Sequence, residues 1–139
     1  MTLYLSGCWL ALAGSVMFLP GCMSTRSDEG SNFVTSVKPV LEYYCIECHT
    51  DRSRARFGGL SLESGQAAMT TGHHAPVIIP GNADASLLYH VLRFGHENPL
   101  AMPPAPDKIS DEQFAAIRSW INAGASWPAG PAGHLSLPH

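Results

Sequence analysis

Cys45-Ile46-Glu47-Cys48-His49 decides how this chain is read. The run is C-x-x-C-H, the attachment signature of c-type haem. Its spacing has a physical reason. Two thiols three positions apart at a helix end lie on one side and can add to the two vinyl groups of one haem. The next residue, His49, then comes beneath the iron as proximal ligand. A bare CxxC has two plainer readings. A thiol redox pair needs a thioredoxin-like βαβ pattern, and none surrounds it. Half of a zinc site needs a second Cys/His pair at ligand spacing. His73 and His74 are adjacent and make a poor pair, and the remaining cysteines, Cys8 and Cys22, fall in the N-terminal leader. The motif therefore implies one covalent haem c.

The second axial ligand has to come from elsewhere. A Met thioether gives an electron-transfer haem of raised potential. Of five methionines, Met1 and Met17 belong to the leader and Met23 to a polar tether, which leaves Met69 and Met102. Met69 sits in Ser61–Gly72 (SLESGQAAMTTG), a short helix after the Gly58-Gly59 turn, where a gap-filling core role suits it. Met102 lies in Asn98–Pro106 (NPLAMPPAP), where four prolines in nine residues exclude helix and stiffen the loop. A rigid loop leaves the sulfur little freedom to lose. Met102 is the predicted ligand.

Around these residues the periodicity is helical. Phe33, Val37, Val40, Leu41 and Tyr44 mark an amphipathic helix over 34–44, with Pro39 tolerable only in a first turn capped by Thr35 or Ser36. Asp84 can cap a second helix bearing Leu87, Leu88, Val91 and Leu92, stopped at Gly95. The last helix has a Ser110/Gln113 capping box, an Ile109/Phe114 staple and Gly124 at its end. Its face of Phe114, Ile117, Trp120 and Ile121 should pack on the first helix. No segment alternates like a long strand. The pattern predicts a small all-α domain over 33–127, wrapped around one haem.

Outward from that domain the character changes. No charged side chain occurs from Thr2 to Thr25, and residues 3–19 are apolar but for Gly, Ser and Cys. That reads as the apolar region of an export signal. Leu19-Pro20-Gly21-Cys22 resembles a bacterial lipoprotein box, so Cys22 is the expected lipidation site, with 1–22 as leader and 23–32 as flexible tether. An uncleaved anchor helix is the other reading. Either puts the domain on the periplasmic side of a membrane, tethered to it. Residues 128–139 (PAGPAGHLSLPH) have no apolar period and predict a loose, disordered tail. Eight Lys+Arg against eleven Asp+Glu give a net charge of −3, which argues against a nucleic-acid partner.

With motif, Met loop and terminal helix in place, the chain resembles a mono-haem class I cytochrome c. It is similar, more closely, to the planctomycete-type cytochrome c domain. The resemblance lies in Val37–His49 (VKPVLEYYCIECH), Gly58–Ser64 (GGLSLES), Ile79–Leu88 (IPGNADASLL), Met102–Pro104 and Trp120–Trp127 (WINAGASW). It implies covalent haem c, His49/Met102 ligation and electron transfer. The His73-His74 pair before the IPG segment and the incomplete leader depart from the family pattern.

Further residues have two readings each. Pro80 can offer its carbonyl to the His49 ring N–H, orienting the imidazole, or can simply make a turn with Gly81 and Asn82. One of Arg52, Arg54 and Arg56 can pair with a haem propionate, or all three are solvated. His73, His74, His90 and His96 can replace Met102 on iron, though surface positions suit them better. Trp120 can line the haem edge or fill a helix seam. The function these residues imply is a one-electron carrier, with redox proteins docking at the haem edge near Cys45 and Cys48. The alternatives are a haem-based sensor or enzyme, and a redox subunit fixed in a larger complex. Pro103 and Pro104 beside Met102 offer no proton donor, which weighs against catalysis.

Overall fold

Pro39 shapes the start of the fold. Its ring lacks an N–H and crowds the carbonyl four residues back. In this computed structural model, which describes residues 30–104 and 108–138, the chain widens into a π-helical stretch, Phe33–Val37. There the Lys38 N–H bonds to the Phe33 carbonyl. Helix α1, Lys38–Tyr44, follows with Pro39 in its first turn. Neither Thr35 nor Ser36 is the cap. The Thr35 hydroxyl bonds back to the Ser31 carbonyl at 2.9 Å, and helical backbone already begins at Gly30, inside the stretch expected as tether. The leader, Cys22 and residues 23–29 lie outside the described residues.

The apolar stripe does what its spacing predicts. Phe33, Val37, Val40 and Leu41 are buried and Tyr44 half-buried. Two further helices follow: α2, Gly65–Thr70, capped by Ser64, and α3, Leu87–Val91. Helix α4, Asp111–Asn122, opens on the Ser110/Gln113 capping box and ends before Gly124, whose φ of +108° suits only glycine. Ile117, Trp120 and Ile121 of α4 are fully buried, and the Trp120 ring stands 5.6 Å from Phe33. Trp120 thus fills the seam between first and last helices, its Nε1–H bonded to the Ser126 carbonyl at 2.8 Å. Among the described residues there is no strand, so the fold is all-α. None of their helices is long and apolar enough to cross a membrane.

Asp84 does not cap α3. It lies exposed in a 3-10 turn, Ala83–Ala85, that the Asn82 side chain caps instead. Ser86 holds the N-cap position, and its buried hydroxyl donates to the Asn82 carbonyl and accepts from Ile79 N–H, both at 2.8 Å. That hydroxyl is already used by the turn, so none of it reaches into the helix.

The predicted loose tail is docked as far as Pro138 is described. Leu135 is buried and its N–H bonds to the Glu63 carbonyl at 3.0 Å. Trp127 Nε1–H donates to the Gly133 carbonyl at 2.6 Å, while Phe33 and Trp127 lie ring to ring at 4.5 Å. One apolar residue without a periodic neighbour is invisible to pattern reading, yet it suffices as an anchor. Leu135→Ala should therefore cost about 2–5 kcal/mol in denaturant unfolding. A loose tail would give no measurable change.

Candidate functional site

The CxxCH run forms a tight turn at the end of α1. Cys45 N–H bonds to the Leu41 carbonyl, and both Cys48 and His49 N–H bond back to the Cys45 carbonyl at 3.2 and 3.0 Å. Beyond it the Ser53 hydroxyl donates to the Cys48 carbonyl at 2.6 Å and shares a 2.6 Å bond with Thr50 Oγ1. From the other side Leu62 N–H clamps the His49 carbonyl at 2.8 Å. The backbone that carries His49 is thus held before and after the ring.

A cleft of about 350 Å³ opens against this turn. Cys45 and His49 line it, and so does Met102, from far along the chain. Tyr44, Leu60, Leu62 and Val77 supply apolar wall, as do Leu87, Leu88, Val91 and Leu92. The stripe on α3 is therefore cleft lining as well as core. Met102 is half-buried, and its N–H bonds to the Val91 carbonyl at 2.9 Å, fixing the loop to the end of α3. Asn98 bends that loop by accepting the Leu100 N–H on Oδ1 at 2.9 Å. Cys48 is half-buried and does not line the cleft. Met69 packs on the core and faces a different surface hollow, beside Trp127 and the docked tail.

The electrostatics suit ligation better than thiol redox chemistry. Burial, with Cys48 beside it, pushes the Cys45 thiol up to about 12. It therefore stays protonated at neutral pH, unlike a redox-active thiolate. Burial also lowers the His49 pKa, partly offset by the Leu60 backbone, which favours the neutral imidazole that binds metals. His49 Nδ1 is the buried polar side-chain atom left without a hydrogen-bond partner among the described residues. Leaving such a nitrogen unpaired costs about 1–3 kcal/mol. A buried imidazole with an orphaned nitrogen, a thiol and a thioether in one apolar cleft fit a haem.

Pro80 makes no hydrogen bond to that ring nitrogen. It is exposed, in a turn closed by Asn82 N–H to the Ile79 carbonyl at 3.0 Å, with Gly81 at φ +81°. Gly81 N–H ties the turn to the Ile121 carbonyl at 2.7 Å, and Asn122 Oδ1 accepts Ala83 N–H at 2.9 Å. The IPGN segment staples α4 to α3, with Pro80 in its turn. The backbone beside His49 belongs to Leu60, which the Gly58-Gly59 turn brings round.

Four histidines fall into two groups. The His90 ring bonds to the Asp84 carbonyl at 2.8 Å, and His96 is exposed beside a small hollow that Met102 also borders. His73 and His74, assigned to the surface from sequence, do line the cleft at its exposed rim, as does Arg56. Arg52 and Arg54 do not line it. Only the turn that brings residue 73 back to residue 58 reveals this, and no sequence signal encodes it.

Residues 45–106 match the family described as Planctomycete cytochrome C. The matched segment begins at Cys45 and takes in His49, the cleft turns, α3 and Met102. The family implies covalently bound haem c. No curated protein and no solved structure matches the chain.

Proposed function

We propose that this chain, which carries a planctomycete-type cytochrome c domain, is a mono-haem one-electron carrier and not an enzyme. Its haem is joined to Cys45 and Cys48 and ligated by His49 and Met102. The observation that carries the reading is the single apolar cleft shared by Cys45, His49 and Met102. When bound, the haem would supply an iron able to pass between ferrous and ferric states, and His49 and Met102 would hold it. The chain's own residues do the rest. The Ser53 and Leu62 bonds hold the His49 backbone, and the Val91 carbonyl holds that of Met102. The leucines and the valine of α3 exclude water and lower the local dielectric, two of the means by which a protein sets a potential. Phe57 and Leu100, 41% and 49% exposed, stand at the cleft and offer a redox partner a small apolar landing area.

Purified after expression with haem-attachment machinery, the protein should give the pyridine-haem spectrum of two thioether links. It should also titrate as a single one-electron couple. A rival reading, a haem-based sensor or enzyme, draws on His73 and His74 at the same cleft. It requires an open or exchangeable iron site, which carbon monoxide binding by the ferrous wild type would reveal.

The leader supports export and lipid anchoring at Cys22, with the domain on the periplasmic side of a bacterial membrane. Cys22→Ala should lose labelled fatty acid and move to the soluble fraction. A variant that stays membrane-bound, with no lipid on the wild type, would make residues 3–19 an uncleaved anchor.

A further inference from the structure

We propose that Arg56, His73 and His74 form a cationic rim that takes the two carboxylates of the haem, and that its histidines tie the reduction potential to pH. The inference rests on the haem reading and assigns the polar edge of the group to named residues. A haem is a flat apolar body with two carboxylates on one edge. Those carboxylates need charged or hydrogen-bonding partners wherever they leave bulk water.

The cleft offers them one place. Its titratable or charged lining residues are Tyr44, Cys45, His49, Arg56, His73 and His74, with no aspartate or glutamate among them. Cys45 and His49 serve attachment and iron. Helix α3 contributes only leucine and valine, and the loop beyond it only Leu100 and Met102. The donors that remain, apart from the Tyr44 hydroxyl, cluster on two stapled turns. His73 N–H bonds to the Gly58 carbonyl at 2.7 Å. Its ring lies against Gly59, at φ +74°, where a Cβ would stand 2.7 Å from Cδ2 and 2.9 Å from Nε2. Gly59 thereby makes room for the imidazole, and the staple brings His73 to the same lining as Arg56.

These side chains are also unspent. Among the described residues the ion pair is Lys38 with Glu42, remote from the cleft lining, and no side-chain hydrogen bond involves Arg56, His73 or His74. Arginine presents a planar fork that matches a carboxylate bidentately. Histidine is the side chain that ordinarily changes charge between pH 5 and 8. A positive charge near the iron favours the ferrous state, which carries one positive charge fewer. A charged histidine at the rim therefore raises the potential, and a neutral one gives up that contribution. Arg56 keeps its charge throughout and sets the baseline.

The test uses the full haem-loaded protein, with loading measured first by pyridine-haem analysis and potentials then read from pH 5 to 9. In the wild type the potential should fall between pH 5 and 8. In the His73→Gln/His74→Gln double variant that slope should flatten. At pH 5 its ferrous-to-ferric ratio at fixed ambient potential should drop about tenfold, or about 59 mV for one electron. Arg56→Gln should lower the potential at every pH, and Arg56→Lys should restore most of it. Arg52→Gln, of equal charge change but off the cleft, should keep the wild-type slope. Infrared difference spectra should show haem carboxylate bands that shift in the histidine and Arg56→Gln variants. A flat wild-type profile, or equal slopes in all variants, overturns the rim. Loss of the low-spin spectrum in the histidine variant also overturns it, by putting a histidine on the iron. Absence of haem at the loading step fails the haem reading itself, and the rim with it.

Discussion

Cys45→Ala/Cys48→Ala, exported in a cell that matures other c-type cytochromes, should leave no haem-stained band on a denaturing gel. The wild type should stain strongly. Each thiol has one vinyl partner, so either single variant keeps one covalent link and some stain, and only the double variant loses all of it. The singles should also differ from the wild type in colour, because an unsaturated vinyl group stays conjugated to the ring and moves absorption to longer wavelength. Burial of Cys45 adds a second expectation. A thiol held at about 12 supplies almost no thiolate at neutral pH. Spontaneous attachment in a host without the machinery should therefore be poor, although the free chain places Cys45 at the cleft. A colourless wild type in a competent host, or stain that survives in the double variant, would remove the central claim.

What the sequence made legible was whatever obeys a local rule. CxxCH, the stripe from Phe33 to Tyr44, the Ser110/Gln113 box and the Trp120 seam each depend on neighbours within a few residues, and each stands where its spacing put it. Other positions were not settled by such rules. Asp84 looked like a cap because caps are recognised by residue type, but Asn82 and Ser86 had already closed that turn. Pro80 had two readings, imidazole partner or plain turn, and the tertiary bonds to Ile121 and Asn122 that fix its segment against α4 were not legible for either. The tail looked loose because one leucine has no period. His73 and His74 are exposed, as expected, but nothing local says that residue 73 returns to residue 58 and so sets them at the rim of the cleft. Neighbours within the turn decide the Asp84 case; contacts between segments far apart in the chain decide the others, and composition and periodicity do not carry that information. The helices that frame the site could be read. The rim of the cleft could not.

Met102→Ala should open the sixth iron position, whereas Met69→Ala should leave it closed. The contrast comes from where the two residues stand. Met69, on α2, packs against the core and borders the hollow beside Trp127, away from the cleft that Cys45 and His49 line. Met102 lines that cleft, on a loop pinned by its own N–H to Val91 and bent by Asn98. Prolines at 99, 103 and 104 limit its freedom further. A thioether favours ferrous iron, so its loss should lower the reduction potential. The ferrous Met102→Ala protein should bind carbon monoxide readily where the wild type does not. The red sulfur-to-iron band of the ferric protein should vanish in Met102→Ala and persist in Met69→Ala. Stability gives an independent contrast, since truncating a half-buried core methionine should cost Met69→Ala a measurable fraction of the ~2–5 kcal/mol typical of full burial, with the spectrum unchanged. The reverse spectral pattern would move the ligand to α2. No sulfur band in the wild type would put a histidine or an exchangeable ligand on the iron. His73 and His74 stand at the same cleft, so the sensor or enzyme reading would then take the place of the carrier.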